Sequence, residues 1–411
     1  MAIAKLKKSQ TAAIAQVLLY INLPQDLDLL LPLAEPLKAN GYRPRLAISS
    51  KAWRNSPQIK HQIKHQIKHQ LESTNLKLFD PVSVLNHKAV VAGFIPSLRG
   101  IQAVITASES TAAPHRGPHA LAKRANRQGI ATYTLQHGLE NVGLTYFDDE
   151  HPVGQVMFAS KTIFTWGPTA YLPAETPAAT RAKCIAVGCP KIVRPPEPAV
   201  SASGSSILNS LIPNSSIPNS PISNFQILDS SIPDYKKRDR LVVVFENLHW
   251  SRYSDRYRQQ FLQDLGQTAL THLETIFIIR AHPTGLWTQR HLKHLPTASN
   301  LIVADPSSAQ WRAITTANLI ALADIAITTP STIALDAARA GCPVAVAAYG
   351  LALPNFEPLP LLQHQSDWQT LMAKPKQSLA QKSQHFASSR LMPGNATERI
   401  ISQISADLKR S

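Results

Sequence analysis

Between Asp324 and Val346 the chain reads DIAITTPSTIALDAARAGCPVAV, an order of residues that few folds accommodate. IAIT is short, β-branched and apolar, as suits a strand covered on both faces. TPST then supplies three hydroxyls and a proline where a helix must begin, with Ser331 or Thr332 able to cap it. IALDAARA fits the helix, Gly341 ends it, and PVAV is the next strand. Strand, polar turn, helix and strand at this spacing predict a βαβ unit of a parallel sheet. Hydroxyls and free N–H groups at a helix start, just beyond a strand, also form an anion site, which points to a phosphate or carboxylate ligand. The alternative is an ordinary βαβ turn whose hydroxyls only cap the helix.

The same alternation runs through the chain. VLLYINLP is a buried strand, DLDLLLPLAEPLKANGY an amphipathic helix stopped at Gly41, and RLAIS the next strand. AVITASES, ATYTLQHG, KTIFTWGP and KCIAVGCP continue the pattern, and HALAKRANRQGI reads as a helix stopped by Gly129. Further on, RLVVVFENLHW, TIFIIRAHP, NLIVAD, DIAITT and PVAVAAY are strand candidates. Two such runs predict an α/β protein of two doubly wound, Rossmann-like domains facing a central cleft. The boundaries are 1–195 for the N-terminal domain and 239–411 for the C-terminal domain with its closing helix, joined by a disordered linker over 196–238.

Two low-complexity inserts interrupt the pattern. QIKHQIKHQIKHQ (58–70) repeats a four-residue unit, and its histidines follow from the repeat rather than from metal-ligand spacing. From about Pro195 to Asp234 the chain is built from Ile, Pro, Asn and Ser, a composition that blocks regular structure. Neither insert is expected to carry chemistry. Cys184, Cys189 and Cys342 suit neither a disulfide framework nor a zinc site, so no metal is expected and a reducing cytoplasm is the default. No apolar run is long enough to span a bilayer. The net charge of +16 leaves three partners: an anionic small ligand, an anionic membrane surface, or nucleic acid. Nucleic acid comes last, because no recognisable binding motif accompanies the scattered basic residues.

Three motifs sit where strands end: QHGLENVG (Gln136–Gly143), RAHP (Arg280–Pro283) and TPST. In open α/β sheets such ends face the ligand crevice. A turn-forming histidine explains either His-Gly or His-Pro taken alone; all three together on two domains point to a site.

With these motifs the chain resembles the two-domain GT-B glycosyltransferases, in particular bacterial enzymes of surface, capsular and lipopolysaccharide synthesis, including sialyl-, polysialyl- and Kdo-transferase-like members. The resemblance implies that His282–Pro283 and Ser331–Thr332, with Thr329, hold the phosphate of a nucleotide sugar, and that Asp336 binds its ribose. It also places the QHG turn in a broader group that includes glycerophosphate transferases and sugar-nucleotide epimerases. The implied partners are a nucleotide sugar as co-substrate and a glycan or glycolipid acceptor, with no cofactor and no metal. The implied location is the cytoplasm, peripheral on the inner face of the membrane.

An inverting transfer needs a base on the acceptor hydroxyl and positive or dipolar groups on the leaving phosphate. His137 is the first candidate base, with Glu140 or Glu109 as its orienter or replacement. Arg280, His282, Ser331 and Thr332 form the leaving-group set, with a structural ion pair as the alternative for Arg280. Glu246, Asn247 and His249 follow a strand and could touch donor or acceptor, whereas Trp250 reads as packing. No paired-acid-glycine motif stands in the N-terminal domain. That absence keeps open a non-catalytic relative, beside an epimerase or a polyol-phosphate transferase.

Overall fold

A computed structural model describes residues 14–55, 82–139, 156–192 and 239–410, apart from 173, 175, 283, 284, 296, 306, 307, 309, 310, 312 and 313. The low-complexity inserts and the expected linker lie outside the described residues, as do Glu140 and Pro283. The chain divides into two compact units. One comprises Met1–His137, Asn141–Ile192 and Leu391–Ser411, and the other Gly138–Glu140 and Val193–Arg390.

Among the described residues the first unit holds seven strands: β1 (Gln16–Ile21), β2 (Arg43–Ser49), β3 (Ser83–Leu85), β4 (Ile101–Thr106), β5 (Ala131–Leu135), β6 (Thr162–Thr165) and β7 (Cys184–Ala186). All pair in parallel in the order β3-β2-β1-β4-β5-β6-β7. The order reverses between β1 and β4, so a crevice opens beyond their C-terminal ends. Val17, Leu19, Tyr20 and Ile21 of β1 are fully buried, as continuous apolar strands of a doubly covered sheet must be.

Two details differ from the sequence reading. The segment after β1 is not one helix. It breaks into Asp26–Leu30, a 3₁₀ turn over Leu31–Leu33, and Ala34–Ala39. Pro32 and Pro36 have no N–H to donate, so a continuous helical ladder cannot pass through them. The last helix, Ala396–Arg410, belongs to the first unit rather than closing the C-terminal domain. Its Ile400, Ile401 and Ile404 are buried there. Tyr42 donates to Ser405 Oγ (3.0 Å), Tyr133 to Asp407 Oδ2 (3.0 Å) and Arg399 Nε to the Val187 carbonyl (2.7 Å).

The second unit holds β8 (Arg240–Glu246), β9 (Thr275–Ala281), β10 (Leu301–Ala304), β11 (Ile325–Thr328), β12 (Val344–Ala347) and β13 (Leu361–Leu362). They too are all parallel, in the order β10-β9-β8-β11-β12-β13. The helix Asp255–Thr271 starts at Ser254, whose side chain caps the Tyr257 N–H, and its Phe261 and Leu265 pack into the core with Trp368. Among the described residues no helix is long and apolar enough to cross a membrane.

Candidate functional site

In the second sheet the order reverses between β8 and β11, and this brings two polar turns side by side. Pairing of Thr328 with Phe245 sets Glu246-Asn247 level with Thr329-Pro330. Thr329 Oγ1 accepts from the Asn247 N–H (3.1 Å) and itself donates to Asn247 Oδ1. Asn247 Nδ2 donates to the Pro330 carbonyl (3.3 Å), and Tyr253 OH donates to Asn247 Oδ1 (2.7 Å). Asn247 and Thr329 thus lock the two turns together. Ser331 Oγ lies 2.9 Å from Thr328 Oγ1 and accepts weakly from the Ile333 N–H (3.3 Å). Thr332 occupies the cap position of the helix Ile333–Arg339 but its side chain does not cap it, because its backbone is already helical. Thr332 Oγ1 instead accepts from the N–H of Leu139, a residue grouped with this unit (3.1 Å). The expected side-chain cap therefore reduces to the one long bond from Ser331. Asp336 is half-buried in the first turn of that helix.

Glu246 sits beneath these turns. Its carboxylate accepts from the Leu248 N–H (2.7 Å) and from both the N–H (3.1 Å) and the hydroxyl (2.7 Å) of Thr288. Burial pushes its pKa up, and those donors restrain the rise. Glu246 is spent on holding the loop after β8 against the helix Trp287–Arg290. On the next strand the His282 N–H donates to the Glu246 carbonyl (2.8 Å). The His282 and His249 rings lie 5.1 Å apart. Burial, with His249 as a like-charged neighbour, lowers His282 to about 4, so it is neutral at neutral pH. Gly285 closes over His249: a Cβ there would stand 2.1 Å from His249 Cγ. Arg280 is buried and donates to the carbonyls of Trp311 (3.2 Å) and Ile314 (3.3 Å), which makes it a backbone clamp; the sequence had left it divided between phosphate and ion pair. Trp250 packs against the core, as the sequence suggested.

In the first unit the crevice ends of β1, β4 and β5 carry a second polar cluster. Asp26 is fully buried, accepting from the N–H groups of Asn22 (2.9 Å) and Leu23 (2.8 Å) and from the Ser108 hydroxyl. Its pKa is raised by burial to about 6. Glu109 is buried and bound by His119 Nδ1 (2.5 Å) and the N–H groups of Ala159 (2.9 Å) and Ser160 (3.0 Å). Its carboxylate ties the turn after β4 to residues 159–160. His137, half-buried after β5, is lowered to about 4 by burial, against which a hydrogen bond with the Ala107 backbone acts. Its ring meets His115 edge-on at 5.0 Å, and His115 Nδ1 lies 2.8 Å from Ser110 Oγ. Asp26, His115, Gly285 and Thr288 escaped the sequence reading. Only Asp26 left a trace, as an acid in the first turn after a buried strand.

No protein-family model matches the chain and no curated protein matches it. Solved structures do. A Listeria monocytogenes protein assigned as a UDP-N-acetylglucosamine 2-epimerase aligns over 97% of this chain and 98% of its own, with a TM-score of 0.59 at 13% identity. The UDP-GlcNAc 2-epimerase from Neisseria meningitidis, bound to UDP-GlcNAc, gives 0.56 at 12% identity over 95% and 100% of the two chains. The wall teichoic acid polymerase TagF gives 0.52 at 12% identity over 96% and 89%. The fold is that of the GT-B group. Two parallel sheets with helices match these GT-B neighbours, while none of the three is a sialyl- or Kdo-transferase.

Proposed function

We propose that the chain is a GT-B glycosyltransferase that moves a sugar from a nucleotide sugar to a surface glycan or glycolipid acceptor. The observation that carries this reading is the pairing of the ENLHW and TTPST turns at the switch point of the second sheet. Backbone N–H groups, Ser331, Thr332 and His282 stand there for the donor phosphate, and Asp336 for the ribose. A neutral His282 is suited to donate a hydrogen bond to the departing phosphate. In the first unit His137 is the candidate base. Its imidazole, unprotonated at neutral pH but made a weaker base than an ordinary histidine by burial, takes the proton of the acceptor hydroxyl as that oxygen bonds to the anomeric carbon and the bond to phosphate breaks. Glu109 is already bound to three donors, and its place is to support the turn. The reaction as proposed invokes no metal and no cofactor.

Calorimetry across CMP-, UDP-, GDP- and CDP-linked donors tests the reading. One donor class is expected to bind, and a Ser331→Ala, His282→Ala double variant should bind it at least tenfold more weakly, since hydrogen bonds to charged groups are worth about 1.5–3 kcal/mol each. Binding of no donor, or unchanged affinity in the folded variant, would remove the assignment. The epimerase neighbours favour a second reading, in which UDP-GlcNAc is inverted at C2 without an acceptor. Proton NMR of UDP-GlcNAc with the protein alone separates the two: a new epimer would replace transfer by epimerisation.

A further inference from the structure

Two buried polar side chains on the turn after β4, Ser110 and His115, have no part in the transfer as proposed. His115 closes the 3₁₀ turn Ala113–His115, which leads directly into the helix Arg116–Arg127, and its N–H donates to the Ala112 carbonyl (2.8 Å). Its ring is held as well, with Nδ1 2.8 Å from Ser110 Oγ. Ser110 Oγ already accepts from the Ala112 N–H (3.3 Å), and among the described residues its own hydrogen has no acceptor but His115 Nδ1. The hydroxyl therefore donates to Nδ1, which leaves the ring hydrogen of neutral His115 on Nε2. The turn that carries this pair is anchored at Ser108, bound to Asp26, and at Glu109, which accepts from the Ala159 and Ser160 N–H groups. His115 is thus a fixed wall and not a mobile ring.

What this wall faces is His137. The two rings meet edge-on at 5.0 Å, and the Ala107 carbonyl, at the start of the same turn, accepts a hydrogen bond from the His137 ring. The turn after β4 therefore makes both contacts that define an imidazole. A carbonyl that takes one ring N–H places the lone pair on the other nitrogen. A perpendicular ring at that distance restricts rotation of the imidazole plane. Filling space would not require the Ser110–His115 bond, because apolar partners of the same shape serve a buried site nearly as well. We propose that His115, held by Ser110, is the positioning residue of His137, keeping its unprotonated nitrogen turned towards the acceptor hydroxyl. Neither residue touches the substrate, and the assignment rests on the reading of His137 as the base.

Nitrogen NMR of the full chain labelled at histidine tests this without any ligand, the His137 ring signals being assigned by their loss in His137→Gln. In the wild type His137 should be a single neutral tautomer. In the double variant Ser110→Ala, His115→Phe, which exchanges the bonded pair for apolar groups, the melting temperature should stay near wild type while His137 becomes a mixture of tautomers. Ser110→Ala alone removes one hydroxyl and should move His137 the same way by less, which covers a double variant that does not fold. With water as acceptor and a CMP-, UDP-, GDP- or CDP-linked donor that binds, release of free nucleotide should slow by up to about 10²-fold at unchanged KM. A mixture of tautomers in the wild type, or a single tautomer kept in both variants, would overturn the proposal. A lowered melting temperature with His137 unchanged would also do so and leave His115 a packing residue. Mixed tautomers with wild-type nucleotide release would instead remove the reading of His137 as the base, and the positioning role with it.

Discussion

At the scale of single residues, burial decides which ionisable groups can take part in chemistry. His137 and His282 are both held near 4, far from their ordinary 6.5. As pH falls from about 6.5 towards 4, the unfolded chain takes up protons on these rings and the folded chain does not. Their contribution to stability is therefore present above 6.5 and lost as pH falls towards 4. Asp26 acts in the opposite sense: it holds its proton up to about 6 when folded and only to 3.8 when unfolded, so its contribution is lost as pH rises through 6. Urea titrations from neutral pH to pH 4.5 should show the wild type losing more stability than His282→Gln; equal slopes would refute the burial of that ring. His137→Ala should lower turnover by about 10²–10⁴-fold with donor affinity and melting temperature near wild type. A lowered melting temperature with normal turnover would make it a turn histidine. Gly285→Ala should cost about 1–3 kcal/mol and weaken donor binding, because the added methyl would displace His249 from its place beside His282. Unchanged denaturation and donor titrations would show that the ring relaxes freely.

At the scale of elements, the loop after β8 is positioned by one buried carboxylate. Glu246 joins Leu248 to Thr288 through three hydrogen bonds, and replacement by Ala would strand those donors. Glu246→Ala is expected to cost about 3 kcal/mol in chemical denaturation and to weaken donor binding through the displaced turn. Glu246→Gln, which keeps one acceptor, should recover part of both. The turn after β11 shows how far local pattern reaches. TPST marked the junction of strand and helix correctly, since proline and hydroxyls punctuate chains by local chemistry. The partners of those hydroxyls are Asn247 for Thr329, Thr328 and the Ile333 N–H for Ser331, and the Leu139 N–H for Thr332. In the segment after β1, apolar spacing suggested one helix and the prolines divided it, a local rule within reach of the sequence.

At the scale of the whole chain, the last helix ties the C-terminus to the first unit through Ile400, Ile401 and Ile404. Burying each such side chain is worth about 1.5–3 kcal/mol. A chain ending at Arg390 should therefore lose hydrogen-exchange protection in β1 and β4, with β8 and β9 less affected. Uniform loss across both sheets, or none, would show that the helix does not stabilise the first unit selectively.

The sequence by itself determined the two doubly wound α/β halves and the motifs at their strand ends. Buried parallel strands must be continuously apolar, and helix starts and stops obey short-range backbone chemistry. Only the tertiary structure decided that Arg280 clamps two carbonyls, that Glu109 braces a turn, that Gly285 covers His249, and that the last helix returns to the first unit. Each of these depends on partners distant along the chain. A lone arginine, glutamate or glycine reads the same in sequence whether it binds a ligand or the protein itself, and strand order alone determines which atoms it meets.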